Sequence, residues 1–334
     1  MLDRISDLSK KVEPYLEKYL AHATYPELKE AMLYQVRTGG KRIRPVLVML
    51  SAEAAGGKVE DALPAATAYE IAHNTTLLFD DIIDKGEVRR GNPTMRIQYG
   101  EVTSLFTCFR YREAMERALR DSRNSARLSQ LMSRVIDNVL EGGMLDLLLE
   151  ARARNEPFLK EHHKNSVTME EYLLMVKKKT SSLFEGCARS GAIVADAPSK
   201  IEEALGNYGI NVGCLFQATD DMLDIFGEEQ ELGKKIGKDL ASHKLGNIVI
   251  VLALQKLDQV NRTSLLSALS ADELSESEVA KIIGTLRDAG LREDATEAAS
   301  RFEEETRASL DSLPDSEAKE ILAVLPGLLL HRRA

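Results

Sequence analysis

Two short segments of this chain repeat one pattern of acidic residues, D-D-x-x-D. The first is Asp80-Asp81-Ile82-Ile83-Asp84 and the second is Asp220-Asp221-Met222-Leu223-Asp224, both beside apolar residues. In a helix, the outer carboxylates of such a segment lie four residues apart and share one face. Carboxylates that repel one another destabilise a largely apolar helix, and a hard divalent cation relieves this repulsion. The two segments therefore predict a site built around several Mg²⁺ ions.

Basic residues lie close to the acidic segments in the sequence. The turn over residues 39–45 (GGKRIRP) holds Lys41, Arg42 and Arg44 at the start of a helix, where cations suit an anionic ligand. Other cations follow the acidic segments or lie between them: Arg89, Arg90, Lys179, Lys234, Lys235, Lys238 and Lys244. This arrangement predicts two anionic ligands, one reached through metal ions and one held by side chains alone.

The composition sets limits on the class of protein. The chain has 334 residues, 44% of them hydrophobic and 29% charged, which is enough for a sizeable core. A formal charge of −9 argues against general nucleic-acid binding. Three widely spaced cysteines, Cys108, Cys187 and Cys214, are typical of reduced core thiols in a cytoplasmic protein. No stretch resembles a signal peptide or reaches the roughly 20 apolar residues of a membrane span, so we expect no stable membrane anchor.

Helical patterns dominate the chain, and alternating strand patterns are scarce. We predict helices over residues 65–84, 129–153, 169–194, 200–227 and 245–257, separated by turns at 39–40, 56–57, 90–93 and 197–198. The expected fold is all-α, with a single domain over residues 1–334. Its motifs fall within about 39–247, and further helices follow over 248–334. In such a bundle both acidic segments should face a shared cavity.

Taken in order, these motifs resemble those of the trans-isoprenyl diphosphate synthases of the polyprenyl synthetase family. The matching elements are GGKRIRP at 39–45, Glu70-x-x-His73 before Asp80, RRGNPT at 89–94, Lys179-Thr180, Phe216-Gln217 before Asp220, and GKxxGxDL at 233–240 with Lys244. One D-D-x-x-D segment is weak evidence, but two in order with the other elements are specific. The resemblance implies an isoprenoid-synthase helix bundle around a deep central cavity, forming a homodimer in the cytoplasm.

The resemblance also implies the reaction, in which isopentenyl diphosphate condenses with an allylic prenyl diphosphate and pyrophosphate is released. Three Mg²⁺ ions, for which Mn²⁺ can substitute, would bind the allylic diphosphate. Asp80, Asp84 and Asp220 would be direct metal ligands. The remaining aspartates would orient the waters and cations around the metal ions: Asp81, Asp221 and Asp224.

Two groups of side chains would hold the two diphosphates. The resemblance assigns isopentenyl diphosphate to Lys41, Arg44, His73 and Arg90. It assigns the allylic diphosphate to Arg89, Lys179, Gln217, Lys234 and Lys244. Thr180 and Gln217 would stabilise the allylic cation through their dipoles. The catalytic set is then Asp80, Asp81, Asp84, Lys179, Thr180, Gln217 and Asp220. Taken alone, His73 would be an ordinary core or surface histidine, and Thr180 a plain helix residue.

The sequence departs from the family pattern at two places. Thr107-Cys108-Phe109 stands where the family carries an Ala-Gly-Asp element. The family's Gly-Gln-x-x-Asp element appears as Gly142-Gly143-Met144-Leu145-Asp146, with Gly143 in place of the Gln. Asp146, the acidic residue of the second element, is retained. Neither change removes a predicted metal ligand, so we expect their effects on tunnel shape, product length and turnover.

Product length is predicted from side-chain size near the first acidic segment. The growing chain should run beside that helix, with Thr75 and Thr76 at its floor and Ala72 a turn deeper. None of these is aromatic, and Phe106 and Phe109 on a neighbouring helix would form a lower floor. We therefore predict a product of about 20 to 25 carbons or longer, since each buried CH₂ adds roughly 0.8 kcal/mol.

Two other classes of protein share part of this pattern. A class I terpene cyclase also carries an aspartate-rich helix, but its second metal motif typically contains Asn, Ser and Glu in an aromatic-rich cavity. Aromatic residues are only 5% of this chain, which disfavours that class. A weakly active or regulatory subunit of a heteromeric prenyl synthase would normally lose one acidic segment, and this chain keeps both.

Overall fold

The computed structural model describes residues 1–23, 25–152, 154–228 and 236–330, and of residues 328–330 the backbone alone. Most of the described chain is helical, which confirms the predicted all-α class. Lys234 and Lys235, both singled out in the sequence, lie outside the described residues.

The helices are named here in chain order. They are α1 (Leu2–Lys11), α2 (Glu13–Leu20), α3 (Pro26–Arg37), α4 (Ile43–Ala54), α5 (Val59–Ile83), α6 (Met95–Tyr99), α7 (Glu101–Arg120), α8 (Ser125–Leu148), α9 (Pro157–His162), α10 (Met169–Val176), α11 (Ser182–Val194), α12 (Ser199–Phe226), α13 (Lys238–Ala241), α14 (Ile248–Lys256), α15 (Gln259–Leu269), α16 (Glu276–Asp288), α17 (Leu291–Ala308) and α18 (Glu317–Leu330). Two long helices, α5 and α12, carry the acidic segments, as their apolar periodicity predicts.

Two predicted helices are shorter than expected because their ends take part in a long-range backbone pair. Glu150 forms an isolated antiparallel bridge with Lys244, and Leu245 N–H donates to the Leu149 carbonyl at 2.8 Å. Helix α8 therefore ends at Leu148, and α14 begins only at Ile248, where the Asn247 side chain accepts from Val249 N–H. Sequence periodicity carries no signal for such a pair.

The helix predicted over residues 169–194 is interrupted in its middle. Residues Lys177–Ser181 form a π-helical segment between α10 and α11. A π-helical turn accommodates one extra residue and occurs often at functional sites. This segment contains the Lys179-Thr180 motif.

A short hairpin follows the first acidic segment, where the sequence predicted only a turn. Strands β1 (Val88–Arg89) and β2 (Asn92–Pro93) pair antiparallel, with Arg89 opposite Asn92. Arg90 and Gly91 form the connection, both with positive φ angles of 52° and 74°. Glycine adopts this conformation freely, whereas an arginine does so rarely.

The described residues group into two compact units. Unit 1 consists of Met1–Ile136, Leu183–Gly209 and Leu310–Leu322. Its core surrounds α5, which packs against α4 and α7. Unit 2 consists of Asp137–Ser182, Ile210–Ser309 and Ala323–Ala334. Its core contains the almost fully buried apolar residues of α14. That the chain forms one domain stays a prediction.

None of the helices in the described part of the chain combines the length and the apolar character needed to cross a bilayer.

Candidate active site

Both acidic segments lie in the last turns of long helices. Helix α5 has 25 residues and ends at Ile83, and α12 has 28 residues and ends at Phe226. The C-terminal end of a helix carries partial negative charge, which disfavours additional anions. Six aspartates at two such ends are therefore electrostatically unfavourable unless cations compensate them. The helices predicted over residues 65–84 and 200–227 already place both segments at C-terminal ends.

In unit 1, the two outer aspartates of the first segment differ in exposure from the inner one. Asp80 is half-buried and Asp84 is exposed, whereas Asp81 is only 4% exposed. Arg89 Nε donates to both Asp81 oxygens at 3.1 and 3.0 Å, and its Nη2 donates to Oδ1 at 2.9 Å. A forked guanidinium pair of this kind fixes the carboxylate plane. It fits Asp81 as an orienting residue, and it places Arg89 on a carboxylate where the sequence predicted a diphosphate ligand.

The middle cation of the 39–45 turn is buried within the protein. Arg42 is 6% exposed and has a φ of 49°. Its Nη1 donates to Glu70 at 2.7 Å, its Nε donates to Glu13 at 2.8 Å, and its Nη2 donates to the Val36 carbonyl at 2.7 Å. Arg42 therefore shapes the turn. This leaves Lys41 and Arg44 as the candidate anion ligands, as predicted.

The environment of these two cations differs. Lys41 is exposed. The Arg44 guanidinium lies over the Phe184 ring, with its Cζ 4.8 Å from the ring centroid, a cation–π contact that limits its freedom. Arg90 Nη1 donates to the Gly39 carbonyl, joining the hairpin to the turn.

His73 lies on α5 among the arginines of unit 1. Its burial, together with the charges of Arg44 and Arg90, holds the pKa of the His73 ring well below its usual value. The imidazole is therefore neutral at pH 7. Its Nδ1 is buried and has no hydrogen-bond partner in the described part of the chain, and a buried polar atom without a partner is costly. A phosphate oxygen would satisfy a donor at this position.

The predicted chain-length residues fall into two groups. On α5, Ala72 is fully buried, Thr75 is 8% exposed and Thr76 is half-buried. Both threonine hydroxyls donate to backbone carbonyls of their own helix. On α7, Phe106 and Phe109 are 68% and 69% exposed and line a depression with Arg110, Glu113 and Arg117. Their role as a lower floor stays a prediction.

In unit 2, the inner aspartate of the second segment is held by uncharged donors. Asp221 is 2% exposed. It accepts from Tyr172 Oη at 2.7 Å, Gln217 Nε2 at 2.8 Å and Ile248 N–H at 2.9 Å. Burial and then the nearby Asp239 raise the pKa of the Asp221 carboxyl to about 7, against the effect of these donors.

The last aspartate of the second segment binds the backbone of α13. Asp224 Oδ1 accepts from Lys238 N–H at 3.2 Å, and its Oδ2 accepts from Asp239 N–H at 2.9 Å. Asp224 is 6% exposed, whereas Asp220 is half-buried. This geometry fits Asp220 as the direct ligand of this segment and Asp224 as a support for the loop that follows. The metal-ligand role itself remains a prediction.

Two predicted diphosphate ligands meet at one buried carboxylate. Lys179 Nζ donates to Asp146 Oδ2 at 2.6 Å, and Lys244 Nζ lies 3.6 Å from the same oxygen. Burial alone would raise the pKa of the Asp146 carboxyl, but the charges of Lys179 and Lys244 outweigh this effect and lower the pKa to about 2. Asp146 was not among the predicted site residues, although it is acidic and lies in a family motif. Its contacts with Lys179 and Lys244, which the sequence does not reveal, are what place it in the site.

The remaining predicted pair is also joined within unit 2. Thr180 Oγ1 donates to Gln217 Oε1 at 2.8 Å. Gln217 thus bridges Thr180 and Asp221, which links the π-helical segment to the second acidic segment.

Two adjacent glycines of α8 have different surroundings. A Cβ on Gly142 would lie 2.2 Å from Lys179 N and 2.6 Å from Lys179 Cα. A Cβ on Gly143, at the position that departs from the family pattern, would meet no described atom within 4 Å. Gly142 therefore permits the close packing of α8 against the π-helical segment, and Gly143 does not contribute to it.

Each acidic segment carries donors of the kind that magnesium prefers. Asp80 and Asp84 in unit 1, and Asp220 in unit 2, carry carboxylate oxygens, and Mg²⁺ sites commonly use one or two carboxylates plus substrate phosphates. The described residues contain no group of three or more His, Cys, Asp or Glu side chains placed to hold a metal ion.

Comparison with known proteins gives a consistent result. A profile of the family described as polyprenyl synthetase matches residues 25–286. The geranylgeranyl diphosphate synthase of Methanosarcina mazei is 32% identical over 336 residues, covering 99% of this chain and 98% of the relative. The geranylfarnesyl diphosphate synthase of Aeropyrum pernix is 30% identical, covering 96% and 99%. The crystal structure of geranylgeranyl pyrophosphate synthetase from Pyrococcus horikoshii superposes with a TM-score of 0.88 at 28% identity, covering 99% and 98%.

Proposed function

The chain belongs to the polyprenyl synthetase family of chain-elongating prenyltransferases, and we propose that it makes a prenyl diphosphate of about 20 to 25 carbons or longer. The observation that carries this proposal is the pair of acidic segments at two helix C-termini, each with its inner aspartate held by orienting donors. The relatives named for C20 and C25 products support the length, as does the absence of an aromatic side chain at Ala72, Thr75 and Thr76.

The proposed reaction joins two diphosphate esters. The bond between C1 and oxygen of the allylic substrate breaks, and its electron pair leaves with pyrophosphate. The double bond of isopentenyl diphosphate supplies the pair that forms the new carbon–carbon bond. A proton then leaves the adjacent carbon for pyrophosphate, which restores a double bond. The protein supplies no nucleophile in this scheme.

Asp80, Asp84 and Asp220 are the residues that would hold Mg²⁺ ions. When bound, Mg²⁺ neutralises charge that develops on the departing pyrophosphate. Lys179 and Lys244 are held by Asp146, and Thr180, beside Lys179, is linked through Gln217 to Asp221. We expect these two lysines to bind the allylic diphosphate. Lys234 has the same proposed role.

Lys41, Arg44, His73 and Arg90 would bind isopentenyl diphosphate. Arg42 stabilises their turn through Glu70 and Glu13, so the ligands begin from a fixed backbone. The neutral His73 ring donates a hydrogen bond to phosphate without adding to the repulsion among the surrounding arginines.

We propose a homodimer that forms through one face of α7. Four apolar side chains lie exposed on this face at helical spacing: Val102, Leu105, Phe106 and Phe109. Arg110 and Glu113 lie beside them, so a second copy related by a two-fold axis would pair each arginine with the other copy's glutamate. Light scattering should report a monomer for Phe106→Asp, whereas Phe158→Asp, which alters another exposed phenylalanine on α9, should stay dimeric. A monomeric unaltered protein would contradict the dimer.

The cytoplasm is the proposed location. Cys108, Cys187 and Cys214 are all buried and unpaired in the structure, as is usual in a reducing compartment.

One assay tests the proposed function. The purified protein is incubated with Mg²⁺, farnesyl diphosphate and labelled isopentenyl diphosphate, and both pyrophosphate and product length are measured. We expect pyrophosphate only when isopentenyl diphosphate is present, with products of about 20 to 25 carbons or longer. Pyrophosphate release without isopentenyl diphosphate would indicate a cyclase. If pyrophosphate is released only after a partner protein is added, the chain is a regulatory subunit.

A further inference from the structure

A line of hydrogen bonds in unit 2 runs from a buried tyrosine to the predicted catalytic threonine. Tyr172 Oη donates to Asp221 Oδ2, Gln217 Nε2 donates to Asp221 Oδ1, and Thr180 Oγ1 donates to Gln217 Oε1. Ile248 N–H also donates to Asp221 Oδ2 at 2.9 Å. Tyr172 is fully buried, and nothing in the sequence patterns singled it out.

The direction of these bonds follows from the chemistry of the groups. A backbone N–H only donates, so Asp221 Oδ2 must accept. The Gln217 amide has one donating and one accepting end, and the end that faces the ionised Asp221 carboxylate must be its NH₂. Its carbonyl oxygen therefore faces Thr180, whose hydroxyl must donate. The Thr180 oxygen is left with lone pairs alone for any other neighbour.

We infer that Asp221 sets the polarity of the Thr180–Gln217 pair and that Tyr172 is a positioning residue that holds Asp221 for this task. This inference rests on the proposed function, in which an allylic cation forms beside Thr180 and Gln217. With the observed polarity, the pair presents oxygen lone pairs to the cation. With the reverse polarity, it would present N–H and O–H hydrogens, which repel positive charge. The main duty of Asp221 is then toward Gln217 and not toward a metal ion.

The first variant reverses the polarity with little change in volume. In Asp221→Asn, the amide oxygen stays with Ile248 N–H, and the new NH₂ group faces Gln217. Gln217 must then flip, so its own NH₂ turns toward Thr180. We expect kcat to fall on the order of 10-fold to 100-fold, while KM for isopentenyl diphosphate and the Mg²⁺ concentration at half-maximal rate stay unchanged.

A double variant restores the polarity by exchanging the two groups. In Gln217→Glu with Asp221→Asn, the NH₂ group of residue 221 donates to the new carboxylate, which again accepts from Thr180. The formal charge of the pair is unchanged. We expect the double variant to turn over faster than either Asp221→Asn or Gln217→Glu alone. A purely structural role for Asp221 predicts no such recovery.

The third variant tests the tyrosine. Tyr172→Phe removes only the hydroxyl and should lower kcat by about 3-fold to 10-fold with unchanged KM values. The matched control is Tyr208→Phe, since Tyr208 is equally buried but donates only to the Leu322 carbonyl. Both variants should lose similar thermal stability, but Tyr208→Phe should keep its kcat.

Specific outcomes would overturn the inference. A wild-type kcat in Asp221→Asn would do so, as would a shift in the Mg²⁺ dependence with an unchanged rate at saturating Mg²⁺. If Asp221→Asn fails to fold, the tyrosine variants decide: equal kcat values for Tyr172→Phe and Tyr208→Phe would overturn the inference. If the unaltered protein releases no pyrophosphate from the two diphosphates, the proposed function fails instead, and that is known before any variant is made.

Discussion

The two acidic segments share one spacing but are supported by different chemistry. In the first, the inner aspartate Asp81 binds the cation Arg89. In the second, Asp221 is held by a tyrosine, a glutamine and a backbone amide, and Asp224 accepts from two further backbone amides. A charged partner compensates the negative charge of the first segment, whereas neutral donors fix orientation in the second without cancelling its charge.

This difference implies that equivalent positions of the two D-D-x-x-D motifs have different roles. Asp81 is almost fully buried, and Arg89 compensates its charge. Asp221 is also buried, and at such a position hydrogen bonds to neutral groups are strong and an unpaired group is costly. Variants at matched positions should therefore give unmatched results.

The largest expected effect comes from the predicted metal ligands, where the two segments should agree. Asp80→Asn and Asp220→Asn should each lower turnover on the order of 10³-fold, because each removes a carboxylate that would hold Mg²⁺ at the leaving group. Pyrophosphate release across a Mg²⁺ titration measures this. Near wild-type turnover in either variant, with an unchanged Mg²⁺ requirement, would remove that residue from the metal site.

The second-largest effect is expected at the Asp81–Arg89 ion pair, which distinguishes the first segment from the second. Asp81→Asn and Arg89→Gln should each lower turnover about 10-fold to 100-fold, and together they should cost little more than the worse single variant. A double-mutant cycle measures this coupling. The control cycle joins Asp81→Asn with Lys179→Gln, which touches Asp146 instead, and it should be close to additive. Additivity of the Asp81 and Arg89 variants would mean that their ion pair does not matter for activity.

A third prediction concerns stability and pH at Asp146. The carboxyl has a pKa of about 2 when folded and about 3.9 when unfolded. Its contribution is therefore complete above the unfolded pKa and is lost as pH falls through the folded pKa. Asp146→Asn should lower the free energy of unfolding by about 2 kcal/mol at pH 7, with a smaller difference at pH 3.

Chemical denaturation at both pH values measures this difference. Asp137→Asn, at an exposed aspartate of the same helix, should leave the free energy of unfolding unchanged at both. A difference for Asp146→Asn that is equal at pH 7 and pH 3 would contradict the role of Lys179 and Lys244 in stabilising the charged carboxyl.

The smallest effect on rate should accompany a change of product. Thr75 stands five residues before Asp80, as Leu215 does before Asp220. Thr75→Phe should shorten the product because it narrows the proposed floor, with turnover changed less than 10-fold. Leu215→Phe should lower stability through overpacking but leave product length unchanged. Chromatographic sizing of the prenyl products measures both, and unchanged length in Thr75→Phe would remove it from the floor.

Much of the fold was predictable because helical periodicity is a local property. The helices that carry Asp80 and Asp220 follow from their apolar spacing, and their motifs mark the candidate ligands. The partners of those ligands could not be predicted in the same way. The burial of Arg42 between Glu13 and Glu70 joins residues far apart in sequence, and no local pattern encodes such pairs.

The same reasoning explains the missed residues. The sequence identified Asp146 only as a retained residue of a family motif. Its hydrogen bond with Lys179 could not be predicted, because it depends on the packing of α8 against the π-helical segment. Tyr172 belongs to none of the motifs, and its bond to Asp221 joins residues 49 positions apart. The hairpin over β1 and β2 was predicted only as a turn, because two-residue strands leave no alternation to detect.

The two neighbouring glycines of α8 have a practical consequence for variant interpretation. Helix propensity scores Gly→Ala as favourable by up to about 1 kcal/mol at either position. At Gly142, however, one methyl group would collide with the Lys179 backbone and displace the lysine and threonine that follow. At Gly143 the same methyl group meets no described atom. A mutational survey should therefore find one damaging and one tolerated alanine side by side, and position 143 is the natural place to attach a spectroscopic label close to the site.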